Sequence, residues 1–144
     1  MFNYVFTFLL VWVFSFVCHE FMHMLEHYRQ TGRWCTLEFW SFKGIPSMRV
    51  LCGGYQYDPD MFRLSGGLYT CFVHFFIFVS AVVLFGFEYN AFFFSIICIG
   101  LVQFYYGYYE QHYLGVLDRK DYMVWHYVLY GVVISVFSLV WLAV

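Results

Sequence analysis

Residues 3–28 read NYVFTFLLVWVFSFVCHEFMHMLEHY, an apolar run interrupted only toward its end by His19, Glu20, His23, Glu26 and His27. Crossing the hydrocarbon core of a bilayer takes roughly 20 mostly apolar residues in a helix, so this stretch predicts a transmembrane helix. Ionisable side chains are costly in lipid and are held against other helices or a water-filled cavity. The residues at 19, 20 and 23 are therefore expected to face a bundle interior.

Working outward, three more apolar stretches at about 61–87, 91–113 and 122–143 are also long enough to span. The expected fold class is an all-α membrane protein with four transmembrane helices, forming a single membrane-embedded domain over 1–144. Composition agrees: 63% of the chain is hydrophobic, 27% aromatic and 11% charged, against about a quarter charged in a water-soluble domain. The start of the chain lacks the basic residues and small-residue cleavage site of a signal peptide, so the first helix is expected to be retained. A net charge of −2 with seven Lys and Arg argues for no nucleic-acid partner, because a phosphate backbone requires a basic patch.

The long connection at 29–60 is aromatic and β-branched over 34–42 and 48–57, with Lys43-Gly44-Ile45-Pro46-Ser47 reading as a turn between them. A β-hairpin at the membrane surface, between helices one and two, follows. Asp58-Pro59-Asp60 supplies a helix start, with a proline where a missing N–H costs little and an acid near the positive end of the dipole. Arg29, Arg33, Lys43, Arg49 and Arg63 lie in or beside this connection, and Arg119 and Lys120 lie between spans three and four. By the positive-inside rule both basic loops, 29–60 included, are cytoplasmic and both termini are outside. The five cysteines (Cys18, Cys35, Cys52, Cys71 and Cys98) are scattered and odd in number, and read mostly as buried small hydrophobes.

His19 and His23 stand one helical turn apart on one face, the spacing that lets two imidazoles bind a single tetrahedral zinc. Glu20 beside them is suited to take a proton from water that the metal acidifies, the arrangement of metal-assisted peptide hydrolysis. Catalytic zinc usually takes a third protein ligand and keeps one position open. Two acids are candidates. Glu110 lies near the cytoplasmic end of span three, on one helical face with Gly100, Gln103 and Gly107. Asp118 follows that span, where a helix cap or solvated loop is the plainer role. Glu26 and His27 continue toward the cytoplasmic end and suit snorkelling or supporting roles. His74, His112 and His126 read as packed or hydrogen-bonded residues rather than ligands.

These parts together resemble the site-2 protease family, which joins a membrane-embedded H-E-x-x-H helix to a cytoplasmic hairpin, a small-residue helix start and an L-D motif. Here they are His19 to His23, the stretch at 34–57, Leu64-Ser65-Gly66-Gly67, and Leu117-Asp118. The family's second motif reads A-G-P and its third N-x-x-P-x-x-P-L-D-G. In this chain Gly67 replaces the proline of the second, Arg119 replaces the last glycine of the third, both prolines of the third are missing, and Glu110 aligns with its asparagine. The resemblance implies an intramembrane zinc metalloprotease with Zn2+ as cofactor, Glu20 as general base, His19 and His23 as ligands, and Asp118 as the third ligand. Its partners would be the lipid bilayer and a transmembrane protein substrate.

A different reading is a non-catalytic metal-binding subunit of a larger membrane complex, which the short chain and its wealth of Phe and Tyr would also suit. A di-iron oxidase of the histidine-box type fits poorly, since there are only six histidines and three of them stand alone.

Overall fold

A computed structural model describes residues 2–42, 45–54, 58–86 and 91–113, with the isolated residues 128, 131, 132 and 136. Its elements in chain order are helix α1 (Phe2–Thr31), strands β1 (Thr36–Phe42) and β2 (Ile45–Leu51), and helices α2 (Pro59–Phe85) and α3 (Ala91–Tyr113). All three helices are long and apolar enough to cross a membrane. The fourth expected span, at 122–143, lies outside the described residues apart from those isolated positions, as does Asp118. The architecture described is thus three candidate spans and a two-stranded hairpin, rather than the four spans expected.

α1 runs past the expected end at residue 28 because polarity marks the edge of the lipid, not the end of the hydrogen bonding. Its last turn closes at Gly32, whose φ of 69° lets the N–H return to the Tyr28 carbonyl at 2.8 Å. α2 begins as the sequence predicts. The Asp58 side chain accepts from the Met61 N–H at 2.8 Å and Pro59 opens the first turn. The strands pair antiparallel in the register Thr36↔Leu51 to Phe42↔Ile45, so β2 takes in residues expected to form the turn. Trp34 folds the hairpin base back on α1, stacking on Tyr28 with ring centroids 4.6 Å apart.

The inward face of α1 carries Phe8, Val11, Ser15, His19, His23 and Glu26, at helical spacings of three and four. Its outward face carries Phe6, Leu10, Val13, Val17 and Phe21. This inversion recurs in α2, where Ser65 and Thr70 are fully buried while Phe76 and Val83 are 72% and 77% exposed. An apolar surface of this extent is matched to lipid, not water.

The bundle has two halves. Phe8, Val11, Ile96 and Ile99 form an apolar cluster near the start of α1, with Trp12, Ile77 and Phe78 packed against it. Toward the hairpin, glycines bring backbones together. A Cβ on Gly67 would collide with the backbone of Gln103 and Gly107, and one on Gly107 would stand 2.8 Å from the Leu64 carbonyl oxygen. α2 and α3 thus meet at backbone distance, and the α3 face of Gly100, Gln103, Gly107 and Glu110 is buried as the sequence predicts.

Candidate metal centre

Three side chains from two helices converge in the polar half. His19 Nε2 lies 3.1 Å from His23 Nε2, and Glu110 Oε2 lies 3.1 Å and 3.3 Å from those two atoms. Donors bound at about 2.0–2.1 Å in a tetrahedron stand about 3.3 Å apart. The triangle is therefore close to one face of a tetrahedral metal shell, and this donor group can hold a metal ion.

The outer nitrogens of the two rings strengthen that conclusion. His23 Nδ1 is 2.8 Å from the Phe62 carbonyl oxygen, which only accepts, so Nδ1 carries a proton and the neutral ring presents its lone pair at Nε2. His19 Nδ1 donates likewise to Gln103 Oε1 at 3.0 Å. Two lone pairs and a carboxylate then point at one another, an arrangement that calls for positive charge at its centre. The nearby Ser65 hydroxyl donates to the same Phe62 carbonyl at 2.7 Å, helping to fix it. Glu20 follows His19 on α1, partly buried and within electrostatic reach of both histidines and Glu110.

Gly66 of α2 covers the triangle. A Cβ there would fall 2.7 Å from His19 Nε2 and closer still to His23 Nε2, so only a glycine leaves room for donors and ion together. The sequence marks Gly66 and Gly67 as part of a small-residue helix start but does not divide their roles: Gly66 spares the donors and Gly67 spares the α3 backbone. Gln103 appears in the sequence as part of a polar seam. Its bond to His19 is legible only once α1 and α3 are packed.

Gln103→Leu keeps much of the side-chain volume and removes the acceptor, freeing the His19 ring to turn or change tautomer. Divalent metal affinity is expected to fall by about 10–100-fold, read by titration against a chromophoric chelator. An unchanged affinity would mean that the ring is held by packing alone.

The other sequence candidates are elsewhere. His74 is buried, with Nδ1 donating to the Thr70 carbonyl at 2.8 Å, and His112 is exposed against Tyr108. His126 lies outside the described residues. Glu26 does not snorkel: it is fully buried, taking two bonds from Arg29 at 2.6 and 2.8 Å, one from Gln30 at 2.8 Å and one from the Tyr69 hydroxyl at 3.1 Å. His27 is also fully buried and lies outside the triangle, grouped instead with Cys35 and Cys52. The cysteine reading needs correcting, because Cys35 and Cys52 form a disulfide across the base of the hairpin. Antiparallel pairing of Thr36 with Leu51 brings these flanking residues together, a proximity that scattered spacing does not reveal. Cys18, Cys71 and Cys98 are free and half-buried.

Comparison of the chain with family models, with curated proteins and with solved structures finds no match, so its own residues and their geometry carry the functional reading.

Proposed function

We propose that the chain is an intramembrane zinc metalloprotease hydrolysing peptide bonds of membrane-protein substrates, with His19, His23 and Glu110 holding the ion and Glu20 as general base. The observation that carries this reading is the convergence of two imidazole lone pairs and a carboxylate beside Glu20, within a helix apolar enough to span. Two nitrogens and one oxygen at tetrahedral spacing suit zinc, with a fourth position left for reactants. Bound there, zinc would supply a Lewis acid that lowers the pKa of water and polarises a peptide carbonyl.

The chain's own residues do the rest. Gln103 and the Phe62 carbonyl keep both Nε2 lone pairs aimed inward. Glu20 accepts the proton of the attacking water as its oxygen bonds to the peptide carbon. It then returns that proton to the amine as the C–N bond breaks. A transmembrane substrate must unwind to present its peptide bond, and an outer edge of the hairpin offers backbone donors and acceptors to such an extended segment. With the basic loops cytoplasmic, this chemistry lies near the cytoplasmic face, and with the stretch at 122–143 crossing as a fourth span both termini lie outside.

The test uses zinc-loaded protein in liposomes with a panel of fluorescent single-span peptides. Glu20→Gln is expected to keep its zinc and to lose about 10²–10⁴-fold in turnover, the range that a positioned general base contributes. Equal turnover in wild type and variant would remove Glu20 from the reaction. No cleavage by zinc-loaded wild type across the panel would favour a non-catalytic metal-binding subunit instead.

A further inference from the structure

Beyond the triangle, His27 on α1 meets Cys35 and Cys52 at the base of the hairpin, with one donor atom from each lying within 4.8 Å of the others. His27 is fully buried, and neither ring nitrogen has a hydrogen-bond partner among the described residues. A buried imidazole with both nitrogens unsatisfied is rare in a folded protein and calls for an explanation. The nearby Phe62 ring, its centroid 6.3 Å from that of His27, offers an apolar wall.

We propose that His27, Cys35 and Cys52 form a second metal site, selective for zinc-like ions, that exists only when the Cys35–Cys52 disulfide is reduced. Two thiolates and an imidazole are a soft, nitrogen-containing set of the kind that holds zinc with one position left open. Thiolates sharing one tetrahedral zinc lie about 3.8 Å apart, a spacing that Cα atoms 4.4 Å apart allow. Water takes the fourth position.

The switch balances as follows. A dithiol reductant passes two electrons and two protons to the Cys35–Cys52 bond and itself closes to a disulfide. Each cysteine thiol then gives its proton to solvent as the metal binds, and His27 contributes the lone pair of a neutral ring nitrogen. On the cytoplasmic side, where the proposed orientation puts the hairpin, the reduced form is the expected one. The site ties the hairpin to α1 in either state, by packing around a disulfide or by a shared ion.

Cobalt(II) titration of the full chain in detergent tests this, comparing oxidised protein with protein treated with a dithiol and then freed of it under nitrogen. The reduced protein is expected to bind one more ion per chain, with an intense thiolate-to-cobalt absorption that the oxidised protein lacks. In a His23→Ala background, which disables the other site, that extra ion and its absorption should persist. His27→Ala should weaken binding of the extra ion about tenfold or more. Equal stoichiometry in the two redox states of the wild type overturns the proposal without recourse to any variant. So does a thiolate absorption whose strength and affinity are indifferent to His27→Ala.

Discussion

Glu110→Ala is expected to release the metal and take peptide hydrolysis below detection, whereas Asp118→Ala keeps both. Glu110 Oε2 is the only described carboxylate oxygen in the triangle with His19 and His23, and two imidazoles from one helix cannot complete a metal shell alone. Because losing an outer hydrogen-bond partner already costs about 10–100-fold in affinity, losing a ligand should cost at least a hundredfold. The measurement is zinc retained per chain after a chelator challenge, with helicity followed in parallel to exclude unfolding. The reverse pattern, loss with Asp118→Ala and retention with Glu110→Ala, would return the third ligand to the position that the family resemblance implies.

Gly66→Ala should match that loss without removing any donor. Its methyl carbon would stand 2.7 Å from His19 Nε2 and nearer to His23 Nε2, well inside van der Waals contact. Either the rings turn aside and the triangle opens, or α2 backs away and takes the Phe62 carbonyl from His23. Both routes end metal binding. Gly53→Ala is the control, since nothing lies within 4 Å of a Cβ placed there, and it should bind metal as wild type does. Full zinc occupancy in Gly66→Ala would mean that α2 does not cover the donors in the membrane.

Helices were legible because lipid demands long apolar runs and because caps such as Asp58-Pro59 act locally. The His19–His23 pair was legible for a similar reason, since its spacing alone brings both rings to one face. Glu110 was a candidate by helical phase and depth and Asp118 by motif alignment, but bringing Glu110 to the histidines takes the packing of α3 against α1, which no local pattern encodes. Motif alignment and helical phase point to different acids there; the distances bring Glu110 to the histidine pair, while Asp118 lies outside the described residues. The disulfide was missed because its cysteines, 17 residues apart, meet only through the hairpin's register. His27 was undervalued for the complementary reason: a third histidine on one face looks redundant until a different element supplies its neighbours.

Gln30 has a broader consequence. Its amide donates to the Asp58 carbonyl and accepts from the Asp58 N–H, both at 3.0 Å, while also donating to Glu26. The two mouths of the excursion between α1 and α2 are thereby buttoned together where the chain leaves and rejoins the helices. Lengthening a loop whose ends are already joined adds little entropy cost, growing only with the logarithm of its length. The tip of the hairpin is thus free to vary as an exchangeable attachment, altering what the protein meets at the membrane surface without disturbing the helical register that aligns His23 with Phe62.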